Sequence, residues 1–512
     1  MQSIPVISHH TPRPSATMLA RMERLARDVL GEHPEFSVPD VFKDHVPVTL
    51  NAAPSIHVDD YSAITRFESG QDISFYQSRC RLRAVDGDVV IACGPPIDGY
   101  EAYCQNHLGL GQVDWLYPAV RENPVRIAEA AWEDRSVRRE IIYRMRHSEL
   151  EYLHPHMGTL PVWELATLLR KSSRRPLQVI APLPALTQWT NDKVAFTQTV
   201  TRLFGEGAVP ESDSAWNEST LVPKLREIAE HCGFVGIKLP DSAGGDGNIV
   251  IDASEIRGKS LSKILELVHS RMPQTRNHNS RLLIDAWQTD VLCSPSVQTW
   301  IPPVADGPPI VEGIFEQATV GANGQFVGHQ PAQFPHTLTE QIAERSWLLA
   351  SLYQRLGYVG RCSLDLILVG KDTGSCHIEF IECNGRWGGT SLPMTMLNRV
   401  LGDYGCQPYV SQIVNVPGFE RLSFADLAAA LSHDLYDTRT GNGSIILFNP
   451  GRLKAQSGID VIDLGGSGDV TARIAECINT RSRSVDGNGL RSEVAKLAES
   501  SDGPYDKRPH VI

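Results

Sequence analysis

The sequence predicts a multidomain chain, α/β in its first part and α+β beyond it, and three observations carry that expectation. Its 512 residues exceed what one hydrophobic core supports, so about two to four domains are expected. Between residues 88 and 181 strand-like and helix-like patterns alternate, as in a parallel α/β layer. Between residues 357 and 393 two apolar strand-like runs flank a turn, the first with Asp365 as its lone acid and the second closing on Glu382.

Residues 1 to about 15, with His9-His10, read as a loose tail. Met18, Leu19, Met22, Leu25, Ala26, Val29 and Leu30 then recur at helical spacing. Residues 35–85 give only short mixed segments. After them, 88–96 reads as a buried strand ending in a turn, 97–108, 125–147 and 161–171 as helices, and 177–181 as a strand. Gly109-Leu110-Gly111 lacks the third glycine of a dinucleotide fingerprint and follows no strand, so it reads as a turn. His154 and His156 have no third ligand near them in sequence and read as two solvated histidines on a loop.

Further on, Asn191 or Asp192 is a fair cap for a helix over 194–204. An apolar strand, 234–240, contains Lys238 and runs into a glycine-rich loop with Ser242, Gly244, Gly245 and Gly247 before a second strand, 249–251. A buried lysine needs an anionic partner, and such a loop lets the backbone fold over one. Strand 282–287 holds Asp285 and Trp287. Segment 321–328 reads as a turn and 338–356 as an amphipathic helix. Helices over 424–435 and 471–480 with strands over 443–449 and 458–464 suggest a small C-terminal α+β unit with a polar tail.

The hairpin at 357–393 is the most informative stretch. Asp365 lies in its first run, and the second ends in Glu382-Cys383-Asn384. Residues two apart on a strand share a face, so Glu382 and Asn384 lie side by side, and pairing can bring Asp365 alongside. Two carboxylates and an amide oxygen suit Mg²⁺, although acids in a hairpin also commonly face solvent. Arg386 and then Gly388-Gly389-Thr390-Ser391 follow, a cationic fork beside a loop whose N–H groups can approach an anion. Metal ligands followed by an anion cradle favour chemistry on a phosphate.

Glu382-x-Asn384-x-Arg386-x-Gly388-Gly389-Thr390 following Gly360-x-x-Ser363-x-Asp365 resembles the C-terminal half of an ATP-grasp domain, and is similar to the pheganomycin-type peptide ligases, which carry a pre-ATP-grasp domain ahead of it. The resemblance implies a Rossmann-like pre-ATP-grasp domain within 1–185, an ATP-grasp fold over 186–400 (nucleotide lid about 186–285, metal and substrate half about 286–400), and a C-terminal α+β domain over 401–512. It implies ATP and Mg²⁺ as cofactors, with Asp365, Glu382 and Asn384 on the metal. Lys193, Lys238, the 242–247 loop, Asp285, Trp287 and Asp290 fall to the nucleotide, and Arg386, Gly388, Gly389, Thr390 and Ser391 to the substrate, with Arg386 and Lys238 acting in catalysis. Ser363 and Leu392 stand where close relatives have glycine and histidine, and Leu392 is expected to make a substrate pocket less polar.

The activity this implies is ATP-dependent joining of a small carboxylic acid or amino acid to the amine of an amino acid or peptide through an acyl phosphate, in specialised metabolism. A small-molecule kinase and a nucleotide-binding protein without turnover are the alternatives. The formal charge of −12 argues against a nucleic-acid partner. No window approaches the roughly 18 apolar residues of a membrane span. Ten cysteines without a CxxC pair fit a reducing compartment, and the N-terminus shows no leader pattern, so cytoplasm is the default. Small carboxylate and amine substrates are the expected partners, with a homodimer possible by analogy to the superfamily. No Gly-x-Ser-x-Gly elbow or activated cysteine suggests a covalent route.

Overall fold

The computed structural model describes residues 6–64, 74–119, 126–147, 149–239, 248–271, 281–321, 324–416 and 418–465, with 470, 471 and 474. The fold is α/β followed by α+β, as expected, and its described strands form three sheets.

The first sheet is parallel and comprises β1 (Ser55–Val58), β2 (Val89–Ile91), β3 (Asp114–Leu116), β4 (Tyr152–Pro155) and β5 (Gln178–Val179), in the order β3-β2-β1-β4-β5. Its central strand, β1, falls in the stretch that gave no sequence reading. All four of its residues are buried, so it shows no alternation, and one of them is a histidine. Asp88 meets part of that polarity: it accepts from the Ser55 and Val85 amides, both at 2.7 Å, and its carboxylate lies 2.8 Å from His57 Nε2, while the buried Nδ1 of His57 has no hydrogen-bond partner among the described residues. Helices Ile127–Glu133, Arg135–Arg146 and Leu160–Ser173 share a core with this sheet around Ile56, Val89, Ile141, Leu153 and Trp163. The single helix expected over 125–147 is two, because the Asp134 side chain accepts from the Ser136 and Val137 amides and starts a new helix.

The second sheet is antiparallel: β6 (Ser212–Ala215), β7 (Phe234–Lys238), β8 (Asn248–Asp252) and β9 (Leu282–Trp287), in the order β6-β9-β7-β8. Helices Glu218–Ala229 and Leu261–Arg271 join its core through Leu225, Ile228, Ile264 and Val268.

The third sheet has eight antiparallel strands: β10 (Val291–Ile301), β11 (Ile310–Val320), β12 (Gln325–Pro331), β13 (Gly360–Val369), β14 (His377–Asn384), β15 (Tyr409–Asn415), β16 (Ile445–Phe448) and β17 (Gly458–Leu464). Their order is β14-β13-β10-β11-β12-β15-β17-β16. Helix His336–Arg355 shares a core with it, and so does the N-terminal helix Ala16–Glu32, through Met22, Leu25 and Val29. That helix, placed with the N-terminal region by the sequence, therefore packs against helix His336–Arg355 and joins the core of the sheet that carries the hairpin. Nor do β15, β16 and β17 make a separate C-terminal sheet: they extend this one, because the edge of β12 is open to pair with β15. The turn expected over 321–328 is also shorter. Gly324 takes a positive φ of 71°, whereas Gly328 lies within β12, where a Cβ would collide with the Ser411 carbonyl of β15.

Gly109 and Gly111 take positive φ of 61° and 70° just after the turn at 107–108 that ends helix Tyr100–Asn106. His9 is docked, its Nε2 lying 2.9 Å from Asp403. All nine described cysteines are free. Among the described residues no helix is long and apolar enough to cross a membrane. Most of the helix expected over 471–480 lies outside the described residues.

Candidate active site

The hairpin is β13 and β14, and its register pairs Asp365 with Glu382 and Ser363 with Asn384. Alternation does the rest, turning Asp365, Glu382 and Asn384 to one face. The Asn384 amide donates to Asp365 at 2.9 Å and to Glu382 at 3.3 Å. Ser296 of β10 donates to the other Asp365 oxygen at 2.6 Å. Helix Lys193–Phe204 starts at Asp192, whose side chain accepts from the Val194 and Ala195 amides. That cap directs Lys193, at the first turn, to Glu382 with Nζ–Oε2 of 2.9 Å. Arg386 donates to the Asn384 side-chain oxygen at 2.6 Å and to the Trp387 carbonyl at 3.0 Å.

The second sheet faces this cluster with Lys238, Asp285 and Trp287. Lys238 and Asp285 are buried and paired at 2.5 Å, and the ammonium lies 5.1 Å from the centre of the Trp287 ring. Gly236, opposite Asp285, leaves room for that carboxylate: a Cβ there would strike Asp285 Oδ1 and come within 2.9 Å of Trp287. Ser242, Gly244, Gly245 and Gly247 of the expected phosphate loop lie outside the described residues.

One cavity of about 310 Å³ joins these elements, lined by Lys193, Lys238, Asp285, Trp287, Ser363, Asp365, Glu382, Asn384, Arg386, Gly388, Gly389 and Thr390. Three expectations need correction. Asp290 is exposed and does not line the cavity; its carbonyl accepts from the Gly370 amide where the chain turns into β10. Ser391 is buried off the cavity and accepts from the Gly388 amide at 2.8 Å, which makes it a brace for the glycine loop. Leu392 is fully buried in a core cluster with Met394, Met396 and Leu397, so it does not tune a pocket.

The sequence reading missed the far wall: Tyr61, Tyr76, Arg79 and His156 from the first sheet's region, Phe326 of β12, and Phe448 and Arg452 from the C-terminal strands and the helix between them. These arrive from three distant parts of the chain and share no motif. His154 and His156, taken as solvated, are each 1% exposed. His154 lies within the buried strand β4 and His156 comes next after it, and burial first, then nearby guanidinium groups, hold both well below the ordinary imidazole range.

The electrostatics favour a divalent cation at the hairpin. Burial, and after it the Glu382 carboxylate, push Asp365 up to about 7. Burial works first to raise Glu382, but Lys193, with Arg386 and Asn384 after it, together outweigh burial and leave that carboxyl below its ordinary value. Two crowded acids, one losing its charge to relieve the crowding, are what a hard cation with oxygen ligands would settle. Asn384 presents its N–H to the acids and its oxygen to Arg386, and a rotation of the amide exchanges the two. Among the described residues no three His, Cys, Asp or Glu side chains group as a metal site.

A family model of the pre-ATP-grasp domain matches residues 78–170, which span β2 to β4. No curated protein matches the chain. Among solved structures it is similar to the biotin carboxylase domain of Hydrogenobacter thermophilus 2-oxoglutarate carboxylase, determined with MgADP and bicarbonate: 14% identity over 84% of this chain and 90% of that one, TM-score 0.49. It is also similar to N5-carboxyaminoimidazole synthetase from Staphylococcus aureus with ADP, at 10% identity over 84% and 99% of the two chains, TM-score 0.48. Biotin carboxylase from Campylobacter jejuni gives 13% identity over 83% and 90%, TM-score 0.48.

Proposed function

We propose that the protein is an ATP-dependent carboxylate–amine ligase of the ATP-grasp kind, with an acyl phosphate as intermediate. The observation that carries this reading is the convergence, on one cavity, of two lysines from separate elements, Lys193 and Lys238, with the Asp365–Glu382–Asn384 face and Arg386. The pre-ATP-grasp match over 78–170 supports it.

In this reading the second sheet is a lid over a nucleotide, and Lys193 and Lys238 meet its phosphates, exchanging their present carboxylate partners for phosphate oxygens. Asp365, Glu382 and Asn384 would hold Mg²⁺, which neutralises charge on the transferring phosphoryl group. An oxygen of the substrate carboxylate attacks the γ-phosphorus and ADP leaves. The amine then attacks the acyl carbon, loses a proton, and phosphate leaves. Both steps build charge on oxygen next to Arg386 and the Gly389 amide, which are placed to offset it, while the Gly388 amide is held by Ser391 and braces the loop. No side-chain nucleophile is required. A peptide-like amide of specialised metabolism, as in the pheganomycin-type ligases, is the product class this reading favours.

Carboxylic acids labelled with ¹⁸O, supplied as a panel with Mg-ATP and mixed amines, test the scheme. The ligase reading requires one ¹⁸O in the released phosphate. A phosphorylated product without free phosphate identifies a kinase, and tight nucleotide binding with no turnover identifies a binding protein.

A further inference from the structure

Beyond the proposed nucleotide groups, the cavity reaches the carboxyl ends of β1 and β4. In a parallel sheet of order β3-β2-β1-β4-β5 the connections diverge at these two strands, and the crevice outside their carboxyl ends is where open α/β sheets take ligands. Tyr61, shortly after β1, and His156, next after β4, line the cavity there. His156 is 1% exposed, and neither of its ring nitrogens has a hydrogen-bond partner among the described residues. An imidazole buried in this way is an unmet donor and an unmet acceptor.

Arg79 stands beside them and is unlike its neighbours. Arg81 is closed on Glu101 through bonds of 2.7 and 2.8 Å, and Arg83 on Asp59 at 2.5 Å. Arg79, 9% exposed, has no carboxylate within 4 Å among the described residues. Among the described residues it meets the Tyr61 hydroxyl at 3.4 Å and the face of the Tyr76 ring at 4.0 Å, Asp460 acts on it through space without an ion pair, and its buried Nε has no acceptor. Tyr76 is itself fixed by Arg452 Nη2 at 2.8 Å, so the wall is braced from the C-terminal side. A buried guanidinium without an anion is costly, and closing two arginines on acids while leaving the third open calls for an anion from outside.

The other cations on the cavity are committed. Lys193, Lys238 and Arg452 are paired with Glu382, Asp285 and Asp460, and Arg386 adjoins Asn384 at the phosphate end. Arg79 is near enough to Arg386 to count, after burial itself, among the groups that lower it. Two guanidinium groups facing one cavity suit a substrate pair with two carboxylates, one activated at Arg386 and one left intact. A single fork with one imidazole N–H matches a monoanion, and Tyr61, Tyr76, Phe326 and Phe448 leave the surroundings largely apolar.

We propose that Arg79, with His156 and Tyr61, binds the free carboxylate of the amine acceptor, so that the acceptor is an amino acid or a molecule ending in one. This rests on the ligase reading above.

The test is thermal unfolding of the full chain with saturating Mg-ADP, titrated with L-amino acids and, in parallel, their carboxamides. At least one amino acid should raise the melting temperature while its carboxamide does not, a comparison that needs no variant. Arg79→Gln should bind that amino acid about 10- to 100-fold more weakly, the loss of one charge-assisted contact, with the Mg-ADP shift retained, and Arg79→Lys should recover part of it. The proposal is overturned if acid and amide bind alike, if Arg79→Gln binds as wild type does, or if Mg-ADP binds and no amino acid does. A chain that does not bind Mg-ADP fails on the nucleotide reading instead, and takes this inference with it.

Discussion

Replacing Lys238 by methionine keeps the stem of the side chain and removes its charge. The cost to the fold follows from burial: Lys238 is 5% and Asp285 2% exposed, and Asp285 is left as a buried carboxylate with no cation. Breaking such a pair from one side costs about 3–5 kcal/mol, and removing both charges recovers much of it. Lys238→Met should therefore be clearly destabilised, and Lys238→Met combined with Asp285→Asn should come back toward wild type in chemical denaturation. Nucleotide affinity should not come back. A lost charge-assisted contact to phosphate is worth about 1.5–3 kcal/mol, or about 10- to 150-fold in Kd for Mg-ADP by calorimetry. If the double variant binds Mg-ADP as tightly as wild type, Lys238 is a structural partner of Asp285 and the lid reading is wrong.

Gly236→Ala should weaken Mg-ADP binding without altering any charge, because its Cβ would displace Asp285 and press on Trp287; the same calorimetry reads it. Asp365→Asn should abolish the dependence of nucleotide binding on Mg²⁺, so that adding a chelator changes affinity in wild type and leaves the variant unmoved. Leu392→His should lower stability by about 1–3 kcal/mol, the cost of a buried polar group without partners, and leave substrate preference as it was, since residue 392 lies in the core. Asp134 is held at about 2, below its ordinary 3.8, first by Ser136 and then by the Ala119 and Val137 amides. Its cap therefore stabilises the fold fully above about pH 4 and is lost as pH falls through about 2. The melting-temperature gap between wild type and Asp134→Ala should be constant from neutral pH to about 4 and then close, whereas a gap unchanged at pH 2 would mean that the charge plays no part.

What the sequence disclosed depended on how local the cause was. Asp365, Glu382 and Asn384 were legible because an acid in an apolar strand stands out and alternation fixes its face. The place of Lys193 at a helix start was legible from Asp192, but its part in the site came only from the family resemblance, because a capped helix start with a lysine is also an ordinary surface feature. β1 was not legible, because a four-residue strand buried on both sides has no period to detect. Its neglect hid the crevice between β1 and β4, and with it Tyr61 and His156. Arg79 sits in the short turn-like segment Ser74–Leu82 among other arginines, and what distinguishes it is a partner it lacks, which only tertiary structure reveals. Asp290 was misplaced by spacing alone, and Leu392 was taken for a pocket residue because it follows a pocket motif, although the helix beginning at Ser391 turns it into the core.

The most direct test of the central claim is a hydroxylamine trap: purified protein with Mg-ATP and a panel of amino acids and small carboxylic acids, read by mass spectrometry for hydroxamates alongside ADP release. The ligase account predicts a hydroxamate that forms with wild type and disappears in Glu382→Ala, which would identify the activated acid at the same time. ADP release with a phosphorylated product that resists hydroxylamine would contradict it.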